Sequence, residues 1–261
     1  MLDRTAEREK LVVGRRYEVS FARSLNEIRE AQRLRYSVFS GEMGARLVGP
    51  EPGVDEDRFD RYCEHLIVRD TGAGEVVGTY RVLSPHAARK AGGYYSDQEF
   101  DLSRLAHIAP RMVEVGRSCI HPDYRAGSVI SILWGALAEY MFAHAYEYLI
   151  GCASISIADG GYAASTIYRE VAARHLAPQE YRVVPRCRLP IEELHSDTRR
   201  ELPPLVKGYL SLGGYVGGEP AWDPDFHSAD LFVLVPMARL NPRYLRHFLR
   251  VARSLTPATT V

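Results

Sequence analysis

The sequence predicts an α/β fold in one domain, with a central mixed β-sheet flanked by helices. Two short apolar segments joined by a Gly-rich turn come early in the 261 residues, and strand–helix–strand units follow in the second half. Hydrophobic residues make up 46% and charged residues 25%, the balance of a folded, water-soluble chain rather than a disordered one. No internal repeat divides the sequence.

The elements follow in order. Tyr17 to Ala22 alternates like a strand. Ser24 then stands where a helix N-cap belongs, with Glu27 three residues on as its capping-box partner. The helix behind it carries Leu25, Ile28, Ala31, Leu34, Val38 and Phe39 on one 3.6-period face, and Gly41 and Gly44 mark its end. The Pro-, Gly- and Asp-rich stretch to about Tyr62 reads as a long ordered loop, because Phe59 and Tyr62 need a core to enter. His65 to Asp70 and Glu75 to Leu83 form a hairpin across Thr-Gly-Ala-Gly. Met112 to Ile120 is a strand, followed by a Pro-Asp-Tyr-Arg-Ala-Gly turn and a helix through Ala143 that buries Ile132, Leu133, Ala136, Leu137 and Tyr140. Leu149 to Ile157 is a strand, Tyr162 to His175 a helix and Tyr181 to Arg188 a strand. An extension from about residue 190 to 261 packs on this unit, with a helix around Leu205 to Leu212, a strand from Leu231 to Pro236 and a basic helix from about Arg243 to Arg253.

Charge and composition exclude several roles. Lys plus Arg and Asp plus Glu are both 33, so the chain lacks the basic excess of a nucleic-acid binder. Cys63, Cys119, Cys152 and Cys187 form no CxxC pair and no disulfide framework, which suits a reducing cytoplasm. The nearest histidines along the chain, His107 and His121, cannot share one helix turn, so no metal centre is expected. Leu11 to Val13 is too short for a signal-peptide core, and Val129 to Ala138 is about half of the ~20 residues that span a bilayer. Membrane contact is expected to be peripheral.

The segment VEVGRSCIHPDYRAG, Val113 to Gly127, carries the strongest chemical signal. A strand feeding a turn and a helix offers backbone N–H groups that can hold a phosphate. Strict alternation puts Glu114 and Ser118 on one face and Val115, Arg117 and Cys119 on the other. Gly116 predicts a bulge that turns Glu114 and Arg117 to one side and frees N–H donors able to polarise a carbonyl. Cys119, near His121, raises a thiol nucleophile, but a small buried thiol is the better reading.

At Ile120-His121-Pro122-Asp123-Tyr124-Arg125 this segment resembles the GNAT N-acyltransferase superfamily, whose often bulged acyl-donor strand ends in such an element. The usual acyl-CoA loop continues with small residues where this chain has Ser128 and Ile130, a departure that suits an acyl carrier protein donor. Two branches that use carrier proteins are similar in finer detail. Acyl-homoserine lactone synthases share features that match Arg35 and Phe39, the acidic loop Asp55 to Asp60, Arg81, and Glu114 with Arg117. The ornithine lipid-forming N-acyltransferases, once labelled hemolysin-like, resemble nearly the whole chain, through LRYSVFSGEMGA, FDRYCEHLIV, VVGTYRVL, GGYYSDQEFDL, VEVGRSC, LPPLVKGYLSLGG and DPDFHSADLFVLVP.

The resemblance implies transfer of a long, 3-hydroxylated acyl chain from acyl carrier protein to the α-amine of ornithine. The phosphopantetheine thioester is then a co-substrate, and no cofactor is bound. An α-ammonium must lose a proton before it attacks, and Glu114 is the expected base, unless it only pairs with Arg117. Arg117 then holds Glu114 or meets the acyl 3-hydroxyl. Val115, Gly116, Ser118, Tyr124, Arg125 and Ser128 are the expected acyl-donor residues. Asp57 and Asp60 are candidates for the ammonium groups of the acceptor and Arg35 or Arg81 for its carboxylate, or else these four form an internal ion-pair network. Tyr168 faintly echoes a tyrosine that protonates the leaving thiolate, but the usual following Gly is missing and core packing is the better reading. Arg243, Arg246, His247, Arg250 and Arg253 suit docking of an acidic carrier protein or of anionic lipid, or form a solvated face in a chain where all but three of 33 cationic residues are arginine. Another amino-acid acceptor, a lactone-type signal synthase and a membrane-acting hemolysin-like protein are the competing readings.

Overall fold

A computed structural model describes residues 16–250 apart from 43, 48, 50, 126, 127, 197, 199 and 247–249. An eight-stranded sheet runs through it in the order β1 (Tyr17–Phe21), β2 (Glu64–Asp70), β3 (Glu75–Leu83), β5 (Met112–Ile120), β6 (Tyr148–Ser156), β10 (Ser228–Pro236) and β8 (Tyr215–Val216), with β9 (Ala221–Asp223) also on β10. Only β5 and β6 pair in parallel, so the sheet is mixed as predicted. A two-stranded ribbon joins β4 (Phe100–Asp101) to β7 (Val184–Pro185).

Helices α1 (Leu25–Gly41) and α2 (Pro85–Ala91) cover one face, and α3 (Val129–Ala143), α4 (Tyr162–His175) and α5 (Pro204–Ser211) cover the other. The period-2 geometry of a strand divides the core accordingly. Leu231, Val233 and Val235 of β10 enter the α3–α5 core, while Phe232 and Leu234 join Phe100, Leu105 and Met112 on the opposite face. β10 is buried along its whole length, so its run of apolar residues reads as a strand covered on both faces.

Ser24 caps α1 by accepting from the Glu27 N–H at 3.3 Å, but Glu27 reaches back to the N–H of Arg23 rather than to that of Ser24. Leu25 departs from its predicted stripe. It lies in the first turn and is 82% exposed, and the buried face begins at Ala31 and includes Gln32 and Arg35. The long loop is anchored as its aromatic content required, with Phe59 buried and Tyr62 partly so.

The strand predicted from Tyr181 to Arg188 is a correction. A 3-10 turn occupies Gln179–Tyr181, and β7 is two residues long because Pro185 has no N–H to continue a ladder. β10 starts at Ser228, three residues before the predicted Leu231. In the predicted basic helix, residues 242–246 and 250 are helical, while His247 and Arg253 lie outside the described residues. Among the described residues no helix is long and apolar enough to cross a membrane.

Candidate active site

The central feature is a fork in the sheet. β5 and β6 pair only at Met112↔Tyr148, Val113↔Leu149 and Glu114↔Ile150, although both strands continue for six residues more. Gly151 sits where they part. A Cβ there would overlap the Val115 carbonyl oxygen, so glycine allows the two backbones to meet before they diverge. On its other side β5 stays on β3, with a bulge in which Arg117 and Ser118 together face Tyr80. Gly116 announced that bulge without carrying it: a Cβ at 116 would meet open space, and the left-handed backbone belongs to Arg117, at φ 51°. A cavity of about 430 Å³ fills the fork, lined by Tyr80, Glu114, Arg117, Ser118, Cys152 and Tyr209 among others.

Glu114 lies at the root of the fork and is 4% exposed. Its Oε1 accepts from the Ser96 N–H at 2.8 Å and the Ser96 hydroxyl at 2.5 Å, and its Oε2 accepts from the Tyr95 N–H at 2.5 Å. Burial pushes its carboxyl above the ordinary range, while those hydrogen bonds and the charge of Arg81 pull part of the way back. The result is a buried carboxylate of raised proton affinity facing a cleft.

Arg117 does not hold Glu114, which corrects that expectation. Its guanidinium reaches across to the loop, pairing with Asp55 at 3.2 Å and Asp57 at 3.1 Å, and lies over the rings of Phe226 and Tyr95. These contacts belong to a closed ring of six side chains. Arg35 bridges Asp55 at 2.7 Å and Asp60 at 2.8 Å, and Arg81 bridges Asp57 at 2.7 Å and Asp60 at 3.1 Å. Each aspartate thus lies between two arginines. Asp60 is held well below the usual carboxylate range by the charges of Arg35 and Arg81, which outweigh its desolvation. Of the four residues expected to touch the acceptor, Arg35 and Asp60 are sealed inside this ring at 0% and 4% exposure. Arg81 lines the cleft, and Asp57 lines a second opening beside it.

The donor-side residues divide similarly. Val115, Gly116 and Ser118 line the cleft, and Arg125 stands on its lining while paired with Glu42 at 2.7 Å. Tyr124 instead packs edge-on to Tyr17, and Ser128 caps α3 without a side-chain hydrogen bond. Neither lines the cleft, because the turn after β5 carries them away from the fork. Cys119 points its thiol at the Leu34 carbonyl in the α1 core, and burial pushes it up to about 12, so it is no thiolate nucleophile. Tyr168 packs against the main core and is likewise off the cleft.

The second opening, about 400 Å³, shares Phe59, Tyr95, Arg117, Asp223 and Phe226 with the first and adds Asp55, Glu56, Asp57, Glu99 and Asp225. Between the two lies a group that the sequence reading passed over. Oxygens of Glu99 and Asp230 and the Cys152 sulfur lie within 4.8 Å of one another. Asp230 carried a readable signal, a lone acid inside the apolar run of β10. Ser96 and Tyr95, the partners of Glu114, gave none, because their contribution is largely backbone N–H.

The sequence profile of the GNAT acetyltransferase domain matches residues 34–135. An L-ornithine N(alpha)-acyltransferase from Brucella abortus (strain 2308) is 34% identical over 258 residues, covering 92% of each chain. Another from Rhodobacter capsulatus is 35% identical over 252 residues, covering 90% of this chain and 95% of that one. Solved structures show the same fold at low identity. A CoA-dependent acyl-homoserine lactone synthase, BjaI, superposes with a TM-score of 0.53 at 14% identity over 94% of this chain and 92% of its own. FeeM, an N-acyl amino acid synthase from uncultured soil microbes, gives 0.53 at 12% identity over 85% and 93%. With its forked sheet, its GNAT segment and these full-length relatives, the chain belongs to the L-ornithine N(alpha)-acyltransferase family.

Proposed function

We propose that this acyltransferase moves a long 3-hydroxyacyl chain from acyl carrier protein to the α-amine of L-ornithine, forming a lyso-ornithine lipid. The observation that carries the reading is the fork with Glu114 at its root. Among the described residues the β6-side edge of β5 pairs with no strand beyond Glu114, which leaves that edge open to a thioester arm. Glu114 takes the proton of the α-ammonium, directly or through one water, and the amine attacks the thioester carbonyl. Backbone N–H groups near the bulge stabilise the oxyanion. Collapse breaks the C–S bond, forms the amide and releases the pantetheine thiolate, which takes up a proton.

Leu83, Val115, Leu205 and Tyr209 give the cleft apolar lining for the acyl chain. Arg117, which also lines the cleft, is assigned to the 3-hydroxyl, and Arg81 to the acceptor carboxylate. The carrier protein is favoured over CoA by Ser128 and Ile130, which stand where a CoA pyrophosphate needs a close, small-residue backbone. The ornithine assignment rests on the family. The work is assigned to the cytoplasmic side of the inner membrane, with peripheral contact for an amphiphilic product, and the segment after residue 190 acts as an extension of one catalytic domain.

Thiol release from 3-hydroxyacyl carrier protein and from acyl-CoA tests the proposal, with ornithine, lysine, glycine and homoserine-type acceptors and products identified by mass. Carrier-dependent release with ornithine is the expected result. Release with CoA alone overturns the donor, and release with another acceptor in preference overturns the substrate.

A further inference from the structure

Two carboxylates beside the cleft have no use in the chemistry above. Asp230, on β10, is 4% exposed, and its carboxylate accepts from the Ser228 hydroxyl at 2.8 Å. Glu99 has both oxygens shielded from solvent, and the groups beside them are the Asp230 carboxyl and the Cys152 thiol rather than a cation. Among the described residues, no lysine, arginine or histidine forms an ion pair with Glu99, Asp230 or the neighbouring Asp223. Two carboxylates side by side resist joint ionisation, and burial holds both above the ordinary range, with the charge of Asp230 adding at Glu99 and that of Asp223 at Asp230. Such an arrangement is costly unless a cation arrives.

The geometry points to the Glu99–Asp230 pair as the seat of the side-chain ammonium of a diamino acid acceptor. This inference rests on the proposed use of an amino-acid acceptor and adds the residues that choose it. A primary ammonium presents three donors and no acceptor. At ~2.9 Å from nitrogen, its tetrahedral N–H directions place three acceptors about 4.7 Å apart. Glu99, Asp230 and the weakly accepting Cys152 sulfur lie no farther than 4.8 Å from one another. A planar guanidinium does not present its donors in that way.

The site is also coupled to the base. Ser96 donates its hydroxyl to Glu114 at 2.5 Å, and the same oxygen is 3.3 Å from the Cys152 sulfur. Ser96 and Cys152 therefore bridge the base and the acidic pair. Asp230 and Cys152 line the cleft while Glu99 lines the second opening, so the pair stands where an acceptor entering the fork from that opening would pass. An acceptor with two amines three methylenes apart can offer its α-amine toward Glu114 and its terminal ammonium to the pair.

The test compares ornithine with norvaline, which has the same carbon chain and no terminal amine, using one acyl donor throughout. The wild-type enzyme should favour ornithine by at least about 100-fold in kcat/KM. Glu99→Gln and Asp230→Asn should each reduce that preference about 10- to 100-fold, and the double variant should bring the two acceptors together. An unchanged preference in folded variants, or a parallel loss for both acceptors, overturns the inference. If the variants do not fold, the wild type decides: ornithine must raise its Tm more than norvaline at equal concentration, and equal shifts overturn the assignment. A preference that vanishes with EDTA and returns with Zn²⁺ gives the pair to a metal and also overturns it. Failure of the wild type to acylate ornithine would instead remove the proposed function, an outcome separate from these.

Discussion

On the β3–β5 side of the fork, Arg35, Arg81 and Arg117 alternate with Asp55, Asp57 and Asp60 in a closed ring, while Glu99 and Asp230 on the far side share a buried site with no cation. Both groups are acidic at the level of sequence motifs, and the sequence reading gave its attention to the first. The contrast shows that recognising a carboxylate's partner matters more than finding the carboxylate. The ring is internally satisfied, so it fixes the 55–60 loop against α1 and the bulge, and it meets the cleft only through Arg81 and Arg117. The pair has no cationic partner among the described residues, which weakens the fold locally and leaves the site open to a bound cation.

The largest expected effect breaks the ring. Arg35→Met leaves the buried Asp55 and Asp60 with one arginine each, opens the ring and should cost about 3–5 kcal/mol in urea unfolding. A loss below about 1 kcal/mol would mean that the ring does not hold the loop.

Glu114→Gln keeps the size of the side chain and removes the base, and should lower turnover by about 10² or more. Near-wild-type turnover in a single-turnover assay would take Glu114 out of the mechanism.

Removing one acid from the pair sharpens the comparison with the opposite sign. Asp230→Asn should raise stability at neutral pH by about 1 kcal/mol, because it relieves two buried like charges. The pH dependence follows the same division. Asp60, held low, contributes stability above the ordinary carboxylate range that disappears as acid titrates it. Glu99 and Asp230, held high, contribute stability below that range that is lost as pH rises through their raised values. Unfolding curves from pH 4 to 8 should therefore decline less toward neutrality in Asp230→Asn than in the wild type, and parallel curves would remove the pair from this account.

The smallest effect concerns Ser96→Ala. Without that hydroxyl the Glu114 carboxyl rises further, so the acid limb of the kcat/KM profile should move upward by a fraction of a pH unit. A downward move would contradict the role of Glu114 as the base.

The regular elements were legible wherever period and punctuation agreed. β5 and α4 have the predicted limits, and the hairpin and the α1 cap stand where they were expected. α2 was not anticipated, because a seven-residue helix is too short to show a period, although Ser84 caps it and Gly92 ends it. The fork was not legible. It depends on where a parallel ladder ends, and pairing between segments some 30 residues apart leaves no local pattern. The bulge was half legible, since Gly116 marked the place and Arg117 took the strained backbone. The ring was visible as one of two readings of the same residues, and only their mutual distances decide its form. Glu99 escaped because its environment comes from β10, far along the chain.

A sheet usually has two outer edges, and exposed edges are where chains pair with the wrong partner. This sheet has two further edges inside it, where β5 and β6 diverge beyond Glu114 and Ile150. They face each other across a gap walled by side chains from both layers, such as Phe59 and Tyr95 on one side and Leu205 and Tyr209 on the other. A whole foreign strand with its own side chains is poorly matched to that confined gap, whereas a slender pantetheine arm with two amides can serve as a temporary extra strand. The enzyme therefore keeps the adhesive chemistry of a sheet edge while limiting aggregation through it, and those amides of 115–118 that point away from β3 should gain hydrogen-exchange protection only while a donor is bound.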